Sequence, residues 1–117
     1  MQKIKLKIND QVFNLHFPLS REEKTIGLSN RLSLEEDSGM FFLFKVPGKY
    51  QITMEKMKFS LDVICLDKDY KILETKELNP GHYFIPTFES KAVLELPQGS
   101  IKKANIRLGD EARIIVW

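Results

Sequence analysis

The 117-residue sequence has a single cysteine, Cys65, which excludes an internal disulfide. Cys65 lies in the apolar run Val63-Ile64-Cys65-Leu66, where a thiol packs as a small hydrophobe. A reactive thiol would want basic neighbours and access to water. No stretch approaches the ~20 apolar residues of a membrane-spanning helix. The opening Met1-Gln2-Lys3-Ile4-Lys5 has no apolar segment of a secretory signal, so a cytoplasmic or intracellular location is expected. Charge of one sign is scarce: 18 basic residues face 16 acidic ones, a net charge of +2. A nucleic-acid binder carries a larger, clustered basic excess, so neither nucleic acid nor membrane is expected as a partner. The glycines at 27, 39, 48, 81, 99 and 109 never group into a phosphate loop, and no serine sits in a Gly-x-Ser-x-Gly elbow. The two histidines, His16 and His82, fall in different regions, short of the three or four ligands of a zinc site. No metal, no cofactor and no catalytic residue is expected.

Against these absences stands an ordinary globular balance, 43% apolar and 29% charged, in a chain of single-domain length. Ile4, Leu6 and Ile8 alternate with Lys3, Lys5 and Lys7, the period of a half-buried strand. Across Asn9-Asp10 the alternation resumes with Phe13, Leu15 and Phe17, predicting a hairpin that Pro18 ends, with His16 on its wet side. Ser20 and Glu23 fit a capping box, predicting a short helix over 21–28 with Ile26 and Leu28 buried. Met40-Phe41-Phe42-Leu43-Phe44 is apolar on both faces, a strand covered on both sides. Pro47-Gly48 suits a type II turn, and Tyr50, Ile52 and Met54 alternate after it, so 40–54 is expected to be a second hairpin. Leu61–Leu66 is the strongest strand; strands over 71–78, 92–96 and 114–117 and a helical turn over 100–105 follow. Short strands with turn signals every 8–12 residues predict an antiparallel sandwich or barrel.

Asp62 stands out because it shares its side of that strand with Ile64 and Leu66. A carboxylate there is either a general base or ligand-binding group in a cleft, or a structural group fixing a neighbouring turn through backbone amides. Tyr83-Phe84-Ile85-Pro86-Thr87-Phe88 concentrates large apolar residues in a loop-like region beside His82; it covers a sheet end or forms an exposed contact patch.

The order of short motifs carries a resemblance. Glu23-Lys24-Thr25-Ile26-Gly27-Leu28, Arg31-Leu32 and Gly39-Met40-Phe41-Phe42 come first. Ser60-Leu61-Asp62-Val63-Ile64-Cys65-Leu66-Asp67, Val93-Leu94-Glu95-Leu96-Pro97-Gln98-Gly99 and Ile106-Arg107-Leu108-Gly109-Asp110 follow. Over residues 20–112 this set resembles the bacterial domain of unknown function (DUF) family 192. The resemblance implies a jelly-roll-like β sandwich and assigns no activity. The chain departs from the family pattern at Thr53-Met54-Glu55-Lys56-Met57, where the family reads Trp-Met-Lys-Asn-Thr. It also departs at Ser60, a proline in the family, and at Ser29, a methionine there.

The expected fold is therefore all-β: one domain over 1–117, a jelly-roll-like antiparallel β sandwich with one short helix near 21–28. Three function classes stand in order: a non-catalytic binding or interaction module; a structural or accessory protein of a larger assembly such as a viral particle; and a small enzyme centred on Asp62. A protein partner, self-association, or a small-molecule or carbohydrate ligand fits the first. The candidate binding residues are Glu55, Lys56, Asp62, His82, Tyr83 and Phe84.

Overall fold

The computed structural model describes residues 2–116, the side chains of residues 21, 22 and 25 excepted. Alternation makes strand β1 (Gln2–Ile8) and strand β2 (Gln11–Phe17) an antiparallel hairpin, in register from Lys3 opposite His16 to Ile8 opposite Gln11. Asn9 takes the left-handed conformation that asparagine tolerates, at φ 55°. Its side-chain amide donates to the Ala104 and Asn105 carbonyls at 2.9 and 3.0 Å, latching this turn onto a distant segment.

The capping box forms as expected. The Glu23 amide donates to Ser20 Oγ at 3.0 Å, and the Ser20 amide to Glu23 Oε1 at 3.3 Å. Helix α1 (Arg21–Ile26) is shorter than predicted because Gly27 ends it at φ 53°. Leu28, beyond the end, turns inward and is buried, whereas Ile26 is 39% exposed, contrary to expectation.

The predicted 40–54 hairpin does not form. Strand β3 (Ser38–Gly48) is hydrogen-bonded on both sides: parallel to β2, and antiparallel to a later strand at Ser90–Pro97. Its partners are long-range ones, and residues 50–54 do not return along it. Strand β4 (Ile52–Thr53) instead pairs with a distant two-residue strand at Tyr83–Phe84. Gly48 is not the positive-φ corner of a type II turn; it pairs with Ser90. Its missing side chain makes room for Tyr50, whose ring would lie 2.9 Å from a Cβ there. That ring stacks on Phe44, with centroids 3.9 Å apart.

Strand β5 (Leu61–Leu66) is buried throughout, between strand β6 (Ile72–Leu78) and the long strand at Ser90–Pro97. With Tyr83–Phe84 as β7, Ser90–Pro97 as β8 and Ala112–Val116 as β9, the main sheet runs β6-β5-β8-β3-β2-β1-β9. All its described pairings are antiparallel except β2 with β3. The last strand starts at Ala112, earlier than predicted; Trp117 lies outside the described residues. The predicted turn over 100–105 is helix α2 (Ser100–Lys103).

The sheet curls until its outer strands touch. Lys71 bridges Glu111, the Ile72 amide donates to Asp110 O at 2.8 Å, and the Ala112 amide to Tyr70 O at 2.8 Å. The concave side holds one core, with Leu6, Ile8, Phe13, Leu15, Phe41, Ile64 and Leu94 buried. A second core lies over the opposite face of the central strands. There Met40, Val63, Cys65 and Val93 meet Leu28, Ile52, Met54 and Leu78. The result is the expected all-β, sandwich-like fold, with the β4–β7 ribbon as a small second sheet.

Gly39 is where β3 enters this arrangement. A Cβ at Gly39 would collide with the backbone carbonyl of Glu95 in β8 and sit 3.1 Å from a Leu96 methyl. Gly39→Ala is therefore expected to cost at least the about 1–3 kcal/mol of core overpacking, because backbone, unlike a side-chain end, cannot move aside. A urea titration checks this; unchanged stability would contradict the close approach.

Candidate functional site

The second core is incomplete, and it opens into a cavity of about 400 Å³. Phe42 and Phe44 of β3 and Val93 of β8 form its floor together with Glu95. Lys24 and residues 26–29, at and after the end of α1, form one wall; Tyr50 to Thr53 and Glu55 to Met57 form the other. Phe42 and Phe44, expected in the core, are only partly buried because they face this space.

Glu95 is the most unusual residue of the site. It lies mid-strand in β8, between Met40 of β3 and Val63 of β5, and is 8% exposed. Its carboxyl has no hydrogen-bond or ion-pair partner among the described residues, and its oxygens are not fully sealed from solvent. Burial pushes its carboxyl from the ordinary 4.5 up to about 7. A carboxyl is costly to bury in this way, and native proteins usually pair it. Here it faces a cavity instead. The sequence signal was the one that drew attention to Asp62, a carboxylate inside an apolar strand, and Val93-Leu94-Glu95-Leu96 carries it equally.

Asp62 itself serves the fold. Its Oδ2 accepts from the Gly99 amide at 3.1 Å and the Ile101 amide at 2.9 Å, holding the start of α2 against β5. Burial raises its carboxyl above the usual range, against the pull of the Ile101 and Gly99 amides and with added repulsion from Glu77 across the strand pair. It does not line the cavity. Of the other sequence candidates, Glu55 and Lys56 are exposed at the cavity mouth. His82 and Tyr83 lie exposed on the β4–β7 ribbon, where the His82 carbonyl accepts from Met54 N at 2.8 Å. Phe84 pairs with Ile52 and packs into the second core. The six candidates thus divide among three places.

Two titratable groups outside the cavity are structural. His16, expected on the wet side, is half-buried, with Nε2 3.1 Å from the Arg31 guanidinium. Burial, then Arg31 and Lys3, push its pKa down, and because a guanidinium only donates, the ring is neutral with its proton on Nδ1. Burial drives the Cys65 thiol up to about 11, so it stays protonated and packs as a hydrophobe. Among the described residues no group of three or more His, Cys, Asp or Glu is placed to hold a metal, and no helix is long and apolar enough to cross a membrane.

The DUF192 family, described as uncharacterized ACR, matches residues 4–114. The chain belongs to this family. A UPF0127 protein of Thermococcus sibiricus is 35% identical over 60 residues, which are 51% of this chain and 39% of that protein. The chain thus matches well under half the length of that relative. A Sinorhizobium meliloti protein, provisionally described as a transcription regulator, shares the fold at TM-score 0.90 and 20% identity, over 97% of this chain and 94% of the other. A Novosphingobium aromaticivorans protein of unknown function matches at TM-score 0.87 and 22% identity, over 97% and 86%. At such identities the likeness concerns the fold alone. Within this DUF192 protein, the motif segments around 24–29, Phe42 and 93–95, distant in sequence, converge on the cavity. Ser29 and Thr53 line it as well.

Two substitutions separate the two buried carboxylates. Glu95 holds its proton in the folded protein between about pH 4.5 and 7, where the unfolded chain has lost it. Stability therefore falls as pH rises through that window, by on the order of 3 kcal/mol, and levels above it. Glu95→Gln lacks this slope, so urea denaturation should show the variant gaining on the parent by about that amount between pH 4 and 8; a gap independent of pH would contradict the assignment. Asp62→Ala should cost about 1–3 kcal/mol, the penalty of stranding hydrogen-bonding groups. Hydrogen exchange should show the Ile101 amide losing protection, and retained protection would contradict its role.

Proposed function

We propose that this DUF192 protein is a non-catalytic binding module that takes a small, largely apolar molecule into the cavity over β3 and β8. The observation that carries the reading is Glu95, a largely buried residue that lines the cavity and whose carboxyl has no protein partner among the described residues, so that its oxygens are open to what enters. Small-molecule sites are typically about 300–1,000 Å³, mostly apolar, with a few placed polar groups. A cavity of about 400 Å³ with Phe42, Phe44, Ile52 and Val93 around the largely buried Glu95, and Lys24, Glu55 and Lys56 exposed at its margin, has that composition. An isolated acid on an aromatic wall also lacks what catalysis needs, a second polar group within hydrogen-bond reach. The enzyme reading centred on Asp62 loses its support, because that carboxylate is engaged by turn amides.

The positions at Ser29 and Thr53 bear on which ligand enters. Both are small here and line the cavity, where the family pattern has methionine and tryptophan. A larger side chain at either position would narrow the space.

A second reading, contact with a protein partner or a second copy, is favoured by the exposure of Tyr83, Ile85 and Phe88, which are 65%, 57% and 54% exposed. The segment is partly anchored: Phe84 packs inward, and Thr87 bonds Glu74 through both its amide and its hydroxyl. Binding in the cavity and contact through this segment are compatible.

Screening a small-molecule library by amide chemical shifts tests the first reading. Hits should move the Phe42, Phe44, Ile52, Val93 and Glu95 amides as one set. Thr53→Trp, which places there the side chain of the family pattern, should weaken those hits at least tenfold while leaving the fold's spectrum in place. Shifts scattered over the surface, or hits indifferent to Thr53→Trp, would overturn the cavity as the binding site.

A further inference from the structure

We infer that the ligand of this cavity is a small organic cation, a protonated amine on a short apolar body, whose ammonium group meets the Glu95 carboxylate while the body lies against Phe42, Phe44 and Val93. This rests on the cavity being a binding site and adds the chemical class of what it binds.

The chemistry of the floor selects among ligand classes. A purely apolar ligand would exclude the remaining water from Glu95 and give it no partner, deepening an existing penalty. An anion would be brought against a carboxyl in a poorly screened place. A protonated amine supplies what is missing: up to three N–H donors and the opposite charge, giving a charge-assisted hydrogen bond of roughly twice the neutral strength. Aromatic walls suit such a guest, because the ring face is the negative part of its quadrupole. The rings of Phe42, Phe44 and Tyr50 line the cavity, and Tyr50 is held in place by its stack on Phe44 and its hydroxyl's bond to Val46 O.

The protein's own charges do not already do this. Lys24 from α1 and Glu55 and Lys56 from the segment after β4 line the cavity, but all three are exposed and none is paired with Glu95. On the strands against Glu95, β3 contributes Met40, Phe42 and Phe44 to this face, and β5 contributes Val63 and Cys65, whose thiol stays protonated. Lys91, on β8 itself, is bonded to the Lys45 carbonyl at 3.0 Å. Among the described residues that line the cavity, Glu95 is thus the buried ionisable one.

Three probes of equal length decide the matter: n-hexylammonium, hexan-1-ol and hexanoate, each titrated into the full chain and followed by amide shifts and calorimetry. The ammonium probe should bind at least tenfold more tightly than the alcohol at pH 8, with the Phe42, Phe44, Val93 and Glu95 amides moving. Its affinity should fall as pH drops below about 7, approaching tenfold per pH unit, because protons compete for the same carboxylate. Glu95→Gln should remove both the preference and the pH dependence. The parent protein's pH profile tests the same point without any variant. If the alcohol binds at the cavity as well as the ammonium, or hexanoate binds better, the cation assignment is overturned and the binding-site reading stands. If none of the three moves the cavity amides, and the library screen finds no cavity hit, both fall.

Discussion

The close approach of β3 to β8 at Gly39 is the contact on which the arrangement depends. Because residue 39 has no side chain, the Glu95 carbonyl can lie against it, and β3 can occupy the middle of the sheet with β2 on its other side. With β3 paired to β2 and β8, residues 50–54 do not return along it. They are displaced onto the outer face, where β4 finds β7 and the pair forms a lid over the second core. That core is therefore made from a strand face on one side and loop segments on the other. Loops pack less regularly than strands, and the cavity is the space they leave.

Legibility in the sequence follows the range of the interactions. The β1–β2 hairpin was readable because alternation and a two-residue connection are local, and the α1 cap because Ser20 and Glu23 lie three residues apart. The β5 strand was readable from an unbroken apolar run. The second hairpin was misread because Pro47-Gly48 is a good local turn signal that long-range pairing overrode; nothing near Gly48 announces that Ser90 lies opposite. Glu95 has flanking residues like those of Asp62, in Val93-Leu94-Glu95-Leu96. What distinguishes the two is the partner: the amides of residues 99 and 101 for the Asp62 carboxyl, and none among the described residues for that of Glu95. Partners come from other segments, and pattern along the chain does not show them.

Family membership and the structure meet in an uneven way. The Sinorhizobium and Novosphingobium proteins keep the fold at 20% and 22% identity, so the architecture tolerates wide change in its residues. Core positions need only be apolar and of suitable volume. A backbone approach as close as that at Gly39 is far less forgiving, and so is a buried acid. Ser29 and Thr53 fall on the cavity wall, where side chains meet open space.

The pairing of β1 with β9 has a consequence for how the chain reaches this state. The strand that begins at residue 2 is hydrogen-bonded to the one that ends at residue 116, and the bridge from Lys71 to Glu111 closes the curl beside it. During synthesis the β1–β2 hairpin emerges with both edges bare, and β9, the neighbour of β1, is made only after the strands in between. Until then an apolar strand edge is open to any other strand, the usual opening for misassembly. Lysines at 3, 5 and 7, alternating along that edge strand, are the charges that discourage premature partners.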